Sequence, residues 1–141
     1  MIKTLELFPI INTKLMELLM SLDSNDFNHP TQFIDWTVKD ICSHLLDTSI
    51  RKLSLERDKY ESPEEISINS YEELIKHITN LADRWALAFT GVSQKILIEL
   101  ICKYQNELYD YLSTLNMLEF SHFPVSWAGE EKSYILQAVI N

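Results

Sequence analysis

Glycine and proline are nearly missing from this chain, with two glycines and four prolines in 141 residues. Both residue types interrupt helices, so their scarcity leaves room for long helices and argues against a turn-rich β fold. The shortage of glycine also removes the loops that cradle phosphates. The sequence has no P-loop, no dinucleotide-binding glycine pattern and no nucleophile elbow. Cysteine is limited to Cys42 and Cys102, both inside helical patterns. Neither has a basic neighbour pattern, so they read as small core residues in a reducing compartment. Positive charge is scarce too. Lys and Arg number 12 against 21 Asp and Glu, a net charge of -9. That balance excludes a nucleic-acid backbone as partner and disfavours anionic membranes. The apolar N-terminal stretch is broken by Lys3, Glu6, Lys14 and Glu17, with no small-residue cleavage site after it. It reads as an amphipathic helix and not as a signal peptide or membrane span, which implies a cytoplasmic protein.

What is present suits one helical domain. Hydrophobic residues make up 46%, and a chain of this length buries roughly two-thirds of its extended surface on folding. The first helix is predicted from about Leu5 to Leu22, with a start near Phe8 because Pro9 suits only a first turn. Its buried stripe reads as Phe8, Ile11, Leu15, Leu18, Leu19 and Leu22. Residues 24–35 form a polar connection containing Pro30, with His29 as a solvated loop residue.

The second helix organises the chain. Thr37 caps it, Asp40 answers the cap, and Val38, Ile41, Cys42, Leu45, Ser49 and Leu53 recur at helical spacing to about Lys59. Arg51 and Arg57, in its charged second half, could face an acidic ligand, but residue types alone favour a solvated face with local ion pairs. Ser70 opens the third helix with a capping box to Glu73, and Tyr71, Leu74, Ile75, Ile78, Leu81, Trp85 and Phe89 form its stripe. Gly91 suits the left-handed end of that helix. Ser93 caps a fourth, in which Leu97, Ile101, Tyr104, Leu108, Tyr111 and Leu115 follow a heptad seam. The expected fold is all-α, an antiparallel four-helix bundle over residues 1–116, followed by a loop and irregular tail over 117–141. The last residues, Tyr134 to Asn141, carry no charge.

Three side chains are candidates for metal chemistry. His44 stands at the edge of the apolar stripe of the second helix, three residues before Asp47. Glu73 and His77 are four apart, so both project from one helix turn, which is a usable metal-ligand spacing. Against this, a histidine beside an apolar face is more often packed and hydrogen-bonded than metal-bound, and Glu-x-x-x-His arises readily on a solvated face. His122, between Phe120 and Phe123, has no supporting pattern.

A set of ordered matches adds to this reading. Trp36-Thr37-Val38-Lys39-Asp40, His44-Leu45, Arg51, Leu53-Ser54 and Arg57-Asp58 form the first. Arg84-Trp85, Ser93 and Leu97–Leu100 form the second, and Val125-Ser126-Trp127-Ala128-Gly129-Glu130 the third. In this order the matches resemble the DinB-like superfamily, more narrowly the mycothiol-dependent maleylpyruvate isomerase-like metal-binding domain. The resemblance implies a four-helix bundle in which His44 is one ligand of a divalent metal, commonly zinc or nickel. It also implies a low-molecular-weight thiol cofactor and isomerase or transferase chemistry on an electrophilic substrate. The family's other ligands are a glutamate and a histidine four residues on, from a helix after the Trp-Ala-Gly-Glu segment. Here the residues after Ser133-Tyr134 read Ile-Leu-Gln-Ala-Val-Ile-Asn, without that pair. The expectation is a truncated or frame-shifted family member, weak or inactive as an enzyme. The alternative expectation is a non-catalytic bundle, a homodimer or partner-binding module acting through the Trp127 to Ile140 segment.

Overall fold

The computed structural model describes residues 4–32, 35–61 and 68–116, and these are helical. Helix α1 spans Thr4–Ser21, α2 Ser24–Phe27, α3 Val38–Lys52, α4 Tyr71–Phe89 and α5 Gln94–Ser113. A π-helical turn, Leu53–Arg57, continues α3. Among the described residues there is no strand; Pro30 and Thr37 form one isolated antiparallel bridge. No described helix is long and apolar enough to cross a membrane.

The caps lie where local chemistry puts them. Thr37 and Asp40 make a reciprocal capping box at α3, the Asp40 carboxylate accepting from the Thr37 backbone N–H at 2.9 Å. Ser93 Oγ accepts from the Ile96 N–H. At α4 the Ser70 hydroxyl accepts from the Glu73 N–H, but Glu73 Oε2 reaches one residue further back, to the Asn69 N–H at 2.8 Å. The connection before α3 is more ordered than a polar loop. Asp23 caps α2, and Phe27 is almost fully buried. The Thr31 N–H donates to the Trp36 carbonyl and the Val38 N–H to the His29 carbonyl, around a left-handed Asp35. Aspartate tolerates that conformation because its short polar side chain bonds locally.

Three helix pairs build the core. The Asn12–Asn106 side-chain bond, the Gln94 bond to the Leu22 carbonyl and the Phe8–Tyr109 ring stack make α1 antiparallel to α5. Lys39 Nζ donates to the Thr90 carbonyl, joining the start of α3 to the end of α4, so these two are also antiparallel. Helices α3 and α5 run parallel: Cys42 and Leu46 pack with Leu97 and Ile101, Gln105 donates to Ser49 at 3.0 Å, and Leu53 packs with Leu108 and Leu112. In space the order is α1, α5, α3, α4, with the α3–α5 pair at the centre.

Several sequence expectations are corrected. Helix α1 begins at Thr4, and Pro9 sits in its second turn. Its expected stripe holds in part: Leu19 is buried and Phe8, Leu15 and Leu22 pack partly buried against the core, but Asn12 and Met16 are buried as well, whereas Ile11 and Leu18 are more than half exposed. The α helix of α3 stops at Lys52 and gives way to the π turn, with a left-handed Lys59 two residues beyond it. In α4 only Ala82 is buried; Tyr71 and Ile75 are exposed, and Leu74, Ile78, Leu81, Trp85 and Phe89 are half-buried, because α4 packs mainly against one neighbour. Gly91 is not in the left-handed region, and a Cβ there would meet open space. The tail expectations, including His122, fall outside the described residues.

Cys42 fits its reading as a core residue. It is 1% exposed, and burial pushes its thiol up from 9.0 to about 11. At pH 8 its alkylation in the native chain is expected to run about a hundredfold slower than in the unfolded chain, from thiolate fraction alone. Peptide mass spectrometry of iodoacetamide-treated native and denatured protein checks this. Equal rates would refute it.

Candidate functional site

One face of α3 gathers the polar groups of interest. Asp40, His44, Asp47 and Arg51 follow one another at spacings of four, three and four, which places them in one row along the helix. Asp40 is used by the cap. The His44 ring lies against Trp36, with centroids 5.4 Å apart and planes tilted by 58°. Its Nδ1 is buried and has no hydrogen-bond partner among the described residues. The Asp47 side chain is buried and accepts from Arg51 Nε, forming an ion pair within the helix.

Asp47 also belongs to a second row on α3. Lys39, Ser43 and Asp47 are four apart, and Lys39 is fixed to Thr90 at the end of α4. Lys39 ties the start of that row to α4, and Ser43 within it is fully buried. The Asp47 carboxyl is raised above the ordinary range by loss of water, with the Arg51 hydrogen bond and charge, and the His44 charge, acting in the opposite direction.

The other two candidates are placed elsewhere. Glu73 is exposed at the start of α4, with its carboxylate committed to the Asn69 N–H. His77 is half-buried one turn further along α4. Among the described residues no three His, Cys, Asp or Glu side chains converge on one point. His44, Glu73 and His77, the three candidates of the sequence, are therefore not brought together among the described residues. A tetrahedral zinc site takes three or four protein donors. The described residues offer His44 Nδ1 as a free nitrogen beside a carboxylate already paired with Arg51, so by themselves they do not fit a complete metal site.

Sequence reasoning named Asp47 only as a neighbour of His44 and treated Arg51 as a solvated charge. The signal for their pairing was the Asp–Arg spacing of four on a helix. The solvated reading suits Arg57, which is exposed and bonds Asp58 and Glu107. Those carboxylates raise the Arg57 guanidinium further, and the Asp58 carboxyl is held below its usual range by Arg57.

A second polar group lies at the π turn. Glu56 is 8% exposed, and its Oε1 has no hydrogen-bond partner among the described residues. Burial lowers the nearby Lys52 and raises Tyr111, the Glu56 charge opposing the first shift and adding to the second. Comparison of the chain with protein-family models, with curated proteins and with solved structures returns no match.

Proposed function

We propose that this chain is a divalent-metal-binding domain of the DinB-like, maleylpyruvate isomerase-like kind, a helical bundle in which His44 contributes a ligand from α3. The observation that supports the reading is the buried, unpartnered Nδ1 of His44. A buried imidazole nitrogen without a partner is costly, and a metal ion satisfies it. Zinc and nickel both suit imidazole. A bound metal of this type stabilises a hydroxide or thiolate at neutral pH. The reading extends to metal capture and not to turnover, because the described donors give no geometry through which a step runs. The thiol cofactor and electrophilic substrate rest on the sequence resemblance.

The second reading is a domain that acts by self-association. It is favoured by the outer side of α1, where Leu7, Ile10, Ile11 and Leu18 are 47%, 58%, 64% and 56% exposed. Such a concentration of apolar side chains on one helix is unusual for a monomer's surface.

Elemental analysis of the purified chain beside His44→Ala, with the mass of each in solution, separates the two. Near-stoichiometric zinc or nickel, lost in the variant, supports the first reading and calls for donors beyond the described residues. A metal-free dimer in both samples would remove the first reading in favour of the second.

A further inference from the structure

Arg51 is held but not used up. Its Nε donates to Asp47, and among the described residues neither Nη1 nor Nη2 makes a hydrogen bond or ion pair. Arg57 shows the contrast, with Nε and both Nη atoms occupied by Asp58 and Glu107. Its exposure differs from that of its partner: the Arg51 side chain is 32% exposed and the Asp47 side chain 5%. The carboxylate therefore lies inside and the guanidinium covers it, which leaves the outer nitrogens toward the surface.

We propose that Arg51 is the anion-binding arm of this face. Its two outer guanidinium nitrogens, set in place by Asp47 and close to His44, take an oxyanion of a small molecule, a carboxylate or a phosphate. The proposal rests on the reading of this face as a small-molecule site, but it does not require the metal.

The helix supplies the juxtaposition. His44 and Arg51 are seven residues apart on α3, two turns and nearly the same angle, roughly 10 Å along the axis. Bonding to Asp47 draws the guanidinium back by one turn toward His44, so the separation of the two heads is closer to one turn than to two. Trp36, its ring tilted against that of His44, is the apolar wall at that end. The row thus presents a fork of N–H donors and an imidazole along α3, with the Trp36 indole beside the imidazole just before the helix.

Charge does not attract the ligand from a distance. The chain is at -9, and Asp47 neutralises Arg51 locally. Recognition depends instead on two parallel N–H donors meeting two oxygens, which a guanidinium provides and an ammonium does not. The discriminating substitution is therefore Arg51→Lys, which keeps the charge beside Asp47 and removes the fork.

Titration calorimetry at constant ionic strength tests this on the full chain, with succinate and inorganic phosphate as probes. Wild type is expected to bind one of them saturably, and the tighter of the two identifies the source of the oxyanion. Arg51→Lys is expected to weaken binding at least about tenfold, and the double variant Arg51→Gln/Asp47→Asn to abolish it, with thermal melts confirming that both fold. Saturable binding by neither probe, or equal binding by wild type and Arg51→Lys, overturns the proposal. Metal content measured on the same samples separates the two readings. Metal without anion binding sinks this inference alone, and Arg51-dependent anion binding without metal sustains it while the metal reading falls.

Discussion

Arg51→Gln is expected to destabilise the fold by about 2–4 kcal/mol at neutral pH, because it leaves the Asp47 carboxylate buried without its counter-charge. Removing one partner of a buried pair costs more than the pair contributes, since the remaining charge still lacks water. The lower part of the range applies because Arg51 is partly exposed and glutamine retains a donor. The effect has a pH signature. Burial already raises the Asp47 carboxyl in the folded chain. A group whose folded value lies above its unfolded value contributes stability at low pH that is lost as pH rises through the folded value. Without Arg51 the folded value rises further, so the deficit of Arg51→Gln shrinks as pH falls below it and Asp47 takes up a proton. Adding Asp47→Asn removes the stranded charge and is expected to recover most of the loss. Urea denaturation of the two single variants and the double variant across pH checks this. A deficit under about 0.5 kcal/mol, or one that does not change with pH, would show that Asp47 is hydrated.

Leu97→Ala is expected to have a comparable or larger effect, about 3–4 kcal/mol. Leu97 is fully buried in the cluster with Met16, Leu19, Phe27, Cys42, Leu46 and Ile101, so its truncation leaves a cavity between α3, α5 and α1. Leu97→Met conserves volume and is expected to cost under about 1.5 kcal/mol. Leu18→Ala, at a position more than half exposed, is expected to stay within about 0.5 kcal/mol of wild type. Chemical denaturation of the three variants tests the ranking. If Leu18→Ala proved as costly as Leu97→Ala, the outer side of α1 would have to be covered in solution.

The residues that could be read from sequence were those whose environment is set within a turn or two. The caps at Thr37, Ser70 and Ser93 depend on neighbours three residues away, and each lies at a helix start. The α5 seam at Leu97, Ile101 and Leu108 stands out against the charged Lys95, Glu99, Lys103 and Asp110, although Leu112 is buried beside it where Tyr111 and Leu115 are half-buried. Helix α1 has no such contrast: Leu7, Ile10, Ile11, Leu15, Met16, Leu18, Leu19 and Met20 surround it, and periodicity cannot choose among its faces. The choice is made by α5, through Asn106 and the core leucines. In α4 the stripe was legible but its burial was not, because burial depends on how many helices pack against it. The π turn and the Pro30–Thr37 bridge have no local signature. At the site, His44 was legible from its place beside the stripe. The pairing of Asp47 with Arg51 was visible only as a spacing, and its burial had no local signature.

Helix α4 has one buried side chain in nineteen residues, and the Lys39 bond to the Thr90 carbonyl ties its end to the start of α3. Elements with few buried contacts open first, at a free-energy cost well below that of global unfolding. In this chain α4 is therefore expected to exchange its amide hydrogens ahead of α1, α3 and α5, whose shared core stays closed while the Lys39 tether lets go.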